Sequence, residues 1–232
     1  MRQAEILRLI PRRFRGLATG IGLVALVVSA QLSPAGTSEG LSASEQEQLA
    51  QGEVIVKTRP VGGYPWPEVT VYRWVAASPE DVMAVYADFE SQAQYLPDLV
   101  ESRIVKRLSP NSLNISYEYE VTGPNERYTV MSTVSRTPGS LRVTWDLVTA
   151  RYARRLSGHM KVEASDSGAL IEYTNRVDPG FFGVRLGSAE TTVSRVRETV
   201  EALATHVERL RVEQQETLRG LTHALSAMLG EP

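Results

Sequence analysis

Apolar and polar residues alternate strictly through the middle of this chain. Leu113, Ile115, Tyr117, Tyr119 and Val121 share one side of an extended segment, and Asn114, Ser116, Glu118, Glu120 and Thr122 the other. Successive strand residues point to opposite faces, so this period of two predicts an antiparallel strand buried on one face. Leu141, Val143, Trp145 and Leu147 alternate with Arg142, Thr144 and Asp146 in the same way. So do Leu156, Gly158, Met160 and Val162 with Arg155, Ser157, His159 and Lys161. Six strand-like stretches follow the Tyr95–Leu99 region. The turns between them (Pro110-Asn111, Gly123-Pro124-Asn125, Pro138-Gly139 and Asp166-Ser167-Gly168) are too short for crossovers and predict a meander.

Two shorter strands, Glu53 to Lys57 and Val69 to Val75, precede the meander, separated by the turn-rich run Pro60 to Pro67. Ser78-Pro79-Glu80-Asp81 then opens a helix, with serine as N-cap, proline at the first helical position and acids at the positive end of the dipole. Val82, Val85, Tyr86 and Phe89 give that helix its apolar stripe. Tyr95 to Leu99 predicts a second, shorter helical turn broken at Pro97. At the end of the chain Val193, Val196, Val200, Leu203, Val207 and Leu210 recur at spacings of three and four, the mark of a long amphipathic helix. A further apolar stretch (Leu218, Leu221, Leu225, Met228, Leu229) is interrupted by Gly220.

The N-terminus has a different character. Five arginines precede an apolar run from Leu17 to Val28, and Val28-Ser29-Ala30 supplies small residues for cleavage. This is the pattern of a secretory signal peptide over 1–30; the run is shorter than the ~20 residues of a spanning helix, though an uncleaved anchor is the alternative. Arg12-Arg13 leaves open whether export follows the general or the twin-arginine route. Residues 31–52 read as a flexible leader with one helical turn between Ser42 and Ala50. The segment 53–211 is the domain, and 212–232 an amphipathic tail.

Charge and composition narrow the function. The chain carries 25 basic and 27 acidic residues and no cysteine. Disulfides, thiolate nucleophiles and thiolate metal sites are therefore excluded. Cleavage after Ala30 would leave 20 basic and 26 acidic groups, a net charge of −6. That acidic balance speaks against a nucleic-acid partner, which needs a concentrated basic surface. The expected setting is the periplasm, or secretion.

The chain resembles the START/polyketide-cyclase (SRPBCC) superfamily. The resemblance rests on Ala76-Ala77-Ser78-Pro79-Glu80-Asp81-Val82, Tyr86-Ala87-Asp88-Phe89-Glu90, and Tyr95 to Ser102. Leu156 to Met160, Ile171-Glu172-Tyr173 and Asp178-Pro179-Gly180 continue it. It covers about residues 53–211, and its motifs are structural rather than catalytic. Members of the superfamily are commonly cytoplasmic, and the leader here departs from that. The resemblance implies an α+β helix-grip fold, a curved antiparallel sheet wrapped around a long C-terminal helix, with a cavity between them.

Carrying the alternation inward predicts a lining of Tyr117, Tyr119, Val130, Trp145, Met160 and Tyr173 from the sheet, faced by Val193, Val196, Val200 and Leu203 from the helix. Any one of them alone reads better as a core residue; the set holds more tyrosine and tryptophan than a dry core wants, because buried hydroxyls and indoles need partners. Asn175 shares the inward parity. It either orients a ligand or bonds backbone near Pro179, and the second reading is preferred.

Candidate chemistry is sparse. His159 lies on a polar face, His206 on the long helix and His223 in the tail, with no spacing for a metal pair. There is no nucleophile elbow and no phosphate loop. Asp88 and Glu90 read as a solvated acidic loop, and Asp146 as a surface partner of Arg142 or Arg155. No inward acid or base stands out, so no cofactor, metal or catalytic residue is expected. The expected function is a binding or transfer protein for a lipid, isoprenoid quinone, sterol-like or polyketide-class ligand. Arg151-Tyr152-Ala153-Arg154-Arg155 is a possible site of transient membrane-surface contact. The alternatives are a cyclase/aromatase-type enzyme, and an envelope partner protein that uses residues 212–232 for contacts.

Overall fold

Eight antiparallel strands carry the structure, a computed structural model that describes residues 40–121, 123–165, 168–181 and 187–231. The expected signal segment 1–30 lies outside the described residues, as do residues 31–39 of the leader. The strands are β1 (Ile55–Arg59), β2 (Glu68–Val75), β3 (Leu99–Ser109), β4 (Ser112–Tyr119), β5 (Glu126–Thr137), β6 (Ser140–Ala150), β7 (Arg155–Ser165) and β8 (Gly168–Asp178). They form one open sheet in the order β1-β2-β8-β7-β6-β5-β4-β3. From β3 to β8 the sheet is the predicted meander, and the N-terminal hairpin joins it by pairing β2 with β8. Register shifts between β3 and β4, and one between β5 and β6 at Thr129/Val130, bend the strands. Their inner faces thus become concave.

Helices fill the concavity. α1 (Ala43–Ala50) is a two-turn helix where a single turn in a flexible leader was expected. A capping box between Ser42 and Glu45 starts it, Leu49 is buried, and Lys57 on β1 pairs with Glu45 at 2.9 Å. α2 (Pro79–Ala87) begins as predicted: the Ser78 hydroxyl accepts the Asp81 N–H at 3.1 Å, with Pro79 in the first turn. Six consecutive residues, Val82 to Ala87, are buried. A helix apolar on every side must be covered on every side. α2 meets β6, β7 and β8 as well as both C-terminal helices.

Two further features differ from the sequence reading. The short helical segment lies at Phe89–Gln94, as a 3-10 helix, and not at Tyr95 to Leu99. Pro97 cannot continue a helix, and Asp98 takes a left-handed backbone (φ 58°), so the chain turns there into β3. The second difference is at the C-terminus. The long helix α3 (Ala189–Glu213) ends at Gln214, and α4 (Gln215–Leu229) runs through Gly220 without a break. α4 folds back on α2 and buries Leu218 and Leu225. Arg136 on β5 secures its end, donating to Glu80 at 2.8 Å and to Glu231 at 2.6 Å. The apolar stripe of 212–232 is thus committed within the chain.

Candidate functional site

A cavity of about 410 Å³, partly open to solvent, lies between the concave sheet and α3. Its walls are aromatic. Tyr117 and Tyr119 of β4, Tyr128 of β5, Trp145 of β6 and Tyr173 of β8 come from the sheet, and Tyr86 from α2. The rings form two clusters: in one Trp145 and Tyr173 are 5.0 Å apart, and in the other Tyr117 and Tyr128 are 5.6 Å apart and Tyr119 stacks on Tyr128 at 5.8 Å. Tyr86 meets Tyr173 edge-on at 6.4 Å. Burial raises the hydroxyl pKa of Tyr86, Tyr117, Tyr128 and Tyr173 well above 10, and that of Tyr119 to about 12. They are neutral donors and acceptors near neutral pH, and none is poised to act as a phenolate base.

Of the eleven residues predicted to line the cavity, Tyr117, Tyr119, Val130, Trp145, Tyr173, Asn175 and Val196 do so. Met160, Val193, Val200 and Leu203 do not. Met160 and Val200 are fully buried and Leu203 is 1% exposed, in solid core, while Val193 is partly buried against it. The cause is α2, whose packing on β6 to β8 fills one end of the concavity and leaves the other open. Inward parity predicts burial, and only the part of the inner face that α2 leaves uncovered becomes cavity.

The Asn175 side chain meets Trp145, where backbone near Pro179 was the preferred partner. Its Oδ1 accepts from Trp145 Nε1 at 3.4 Å. The row Trp145–Gly158–Asn175 spans three strands in register, and Gly158 permits it. A Cβ there would stand 2.2 Å from the Thr174 carbonyl oxygen and 2.6 Å from the indole. Gly158→Ala is therefore expected to displace Trp145 and to cost about 2–3 kcal/mol in overpacking, measurable by urea unfolding with Trp fluorescence.

The polar groups outside the cavity are mostly paired. His159 Nε2 lies 3.3 Å from Glu172, so it is half-buried in a surface pair where solvation was expected. Arg155 pairs with Asp178 at 3.0 Å, not with Asp146, and its guanidinium lies 4.0 Å over the Tyr64 ring. His206 stacks on Tyr95 at 4.3 Å. Among the described residues no group of acids and histidines is placed to hold a metal.

The sequence reading missed an inward carboxylate. Glu126 opens β5, opposite Tyr119, and lines the cavity. Its Oε1 accepts the backbone N–H groups of Arg151 and Tyr152, each at 3.2 Å. The signal was available: Glu126 and Tyr128 share the parity that placed Val130 inward, but they follow a turn and read as its tail. Partial burial raises the Glu126 pKa, opposed by the backbone donors of residues 151–153. A folded pKa above the unfolded value means that ionisation costs folded stability as pH rises through that interval. Glu126→Gln is therefore expected to raise the unfolding midpoint at pH 7, with the gain shrinking as pH falls toward 4, read from thermal melts across that range.

The sequence matches a family model described as polyketide cyclase / dehydrase and lipid transport over residues 67–208. Among curated proteins none matches. Solved structures share the fold. A STAR-related lipid transfer protein from Xanthomonas axonopodis superposes with a TM-score of 0.58 at 21% identity, over 75% of this chain and 97% of that one. Human STARD10 superposes with a TM-score of 0.60 at 12% identity, over 74% and 76% of the respective chains. Human StAR-related lipid transfer protein 5 gives 0.54 at 10% identity, over 69% and 84%.

Proposed function

This chain belongs to the polyketide cyclase/dehydrase and lipid transport family, and from that membership we propose that it binds a hydrophobic or amphipathic small molecule and holds it away from water. The observation that carries the proposal is the aromatic cavity. Its volume lies in the usual range for small-molecule sites, roughly 300–1,000 Å³, and corresponds to about 14 waters at ~30 Å³ each. A single-chain or fused-ring molecule suits that space, whereas two full acyl tails exceed it. Burying 300 Å² of ligand surface contributes roughly 7 kcal/mol before ordering costs. The tyrosine hydroxyls would orient the ligand, together with the second acceptor site of the Asn175 amide oxygen. Isoprenoid quinone, sterol-like and polyketide-class ligands fit this description.

Entry would pass the loop Pro60 to Pro67. Trp66 of that loop lines the cavity, and Arg155 holds the loop through the Gly63 carbonyl and the Tyr64 ring. Arg151 and Arg154 are exposed in the β6–β7 turn beside the lining residues Tyr152 and Ala153. Phe181 is 58% exposed two residues after the lining residue Pro179. These groups support transient contact with an anionic membrane surface during loading. With residues 1–30 acting as an export signal, the protein would work in the periplasm or outside the cell.

Native mass spectrometry of the mature protein, purified from the compartment it is exported to, tests the reading. A stoichiometric apolar adduct is expected. A protein that is empty, and that also takes up no neutral apolar probe, overturns it. One observation favours a second reading as a cyclase-type enzyme: Glu126 places a carboxylate on the cavity wall. That reading requires conversion of a linear polyketone probe, lost in Glu126→Gln; binding without conversion by the intact protein removes it.

A further inference from the structure

Glu126 is an unusual occupant of an aromatic wall. Among the described residues no cation lies within ion-pair distance of it, although Arg127 adjoins it in β5, Arg151 is close by and Arg195 shares the cavity lining. Each is committed elsewhere. Arg127, its neighbour in β5, turns outward and pairs with Glu118 at 2.6 Å. Arg151 donates through Nη1 to the Asn125 carbonyl at 2.7 Å. Arg195 of α3 also lines the cavity, and its Nε lies 3.3 Å from Asp98. The carboxylate is instead fixed by the two backbone N–H groups on Oε1, which set its position without supplying a counter-charge. Partial burial of an unpaired carboxylate works against folding, so the group is an acceptor held at some cost in a lining whose one other charged side chain, Arg195, is paired with Asp98.

We propose that Glu126 is the polar anchor of the bound molecule, accepting a hydrogen bond from a neutral hydroxyl while the tyrosine and tryptophan rings enclose the apolar body. This rests on the cavity-binding reading and names its ligand class: single-chain or fused-ring alcohols and phenols. An anionic head is disfavoured by the carboxylate itself. An ammonium head would meet, beside the carboxylate, the Arg151 guanidinium, whose own partner is the neutral Asn125 carbonyl. The tyrosine hydroxyls do not replace Glu126 in this role, because they are neutral, and a hydrogen bond to an ionised acceptor is the stronger kind. The anchor sits where β5 emerges from its turn, so the ligand's hydroxyl end lies toward the β6–β7 turn. Its apolar end then points inward, toward Val130 and Val196.

The test is a fluorescence titration of the full mature chain with three probes that share one fused-ring body: pyrenebutanol, its methyl ether and pyrenebutanoate. The alcohol is expected to bind about tenfold tighter than the ether, and the carboxylate more weakly than either. In Glu126→Gln, checked for folding by circular dichroism, the alcohol's advantage should fall to within about twofold. The ether's affinity should be unchanged, and the carboxylate's should rise. Equal binding of alcohol and ether by the unaltered protein overturns the proposal whatever the variant does, as does an alcohol preference that survives in a folded Glu126→Gln. If neither the alcohol nor the ether binds, the cavity-binding reading fails and the anchor with it, an outcome distinct from the other two.

Discussion

Ser132→Phe is expected to leave the sheet assembled and to weaken uptake of a neutral apolar probe about 100-fold. Ser132 lies inward on β5, 3% exposed, directly across from Trp145 and in the cavity lining. Its side chain is the smallest that the sheet contributes to the cavity lining. A phenyl ring there takes up space that a ligand would use, beside aromatic neighbours it can pack against. Phenylalanine also suits a strand. The loss falls on binding because a ligand forced into the reduced space meets an overpacking penalty of about 1–3 kcal/mol, whose upper end corresponds to 100-fold in affinity. Probe titration and a thermal melt on the same sample decide the matter. Unchanged affinity with an unchanged melt would mean that the ligand does not reach this part of the protein.

The largest effect on stability is expected from Phe89→Ala, about 3–5 kcal/mol lost in unfolding free energy. Phe89 is 1% exposed and among the largest fully buried side chains. It starts the 3-10 helix after α2 and meets Tyr86 edge-to-face at 6.1 Å. The surrounding backbone is bonded rather than loose. The Phe89 carbonyl accepts the Ser102 hydroxyl at 2.5 Å, and the Gln92 amide donates to the Tyr86 carbonyl at 2.8 Å. A site held this firmly collapses little when the ring is removed, which puts the cost toward the upper end of the range for lost phenyl rings. Because Tyr86 also lines the cavity, the variant should bind probes with altered affinity at temperatures where it is still folded. Denaturant unfolding gives the first number and titration the second. A loss below about 1 kcal/mol would contradict the packing described.

The strands were legible because their code is local. The alternation of Leu113 to Tyr119 needs no knowledge of the rest of the chain, and neither does the capping pattern at Ser78. What could not be read locally was which inward residues meet empty space. Met160 and Tyr173 are cross-strand partners with the same parity, yet one is in solid core and the other on the cavity wall, because α2 covers only part of the inner face. Asn175 was correctly placed inward, but its partner Trp145 lies two strands away and is reachable only because Gly158 lacks a side chain between them. Glu126 was hidden by its position at the end of a turn, where period-two counting had not yet begun. The stripe of α4 was visible from Leu218 onward, but an amphipathic stripe does not name the surface that covers it; here that surface is α2.

The pairing of β2 with β8 also bears on when this protein can fold. Thr70 and Thr174 share a hydroxyl contact across 104 residues of chain, so the N-terminal hairpin has no sheet to join until nearly the whole meander has been made. Closing so long a loop is entropically expensive, and topologies dominated by distant pairings fold slowly. α2 waits in the same way, since its buried faces need α3 and α4, which are made after every strand. A chain built like this stays open and pliable through most of its synthesis. That delay would keep it threadable, the condition that the proposed export through a narrow membrane pore would impose.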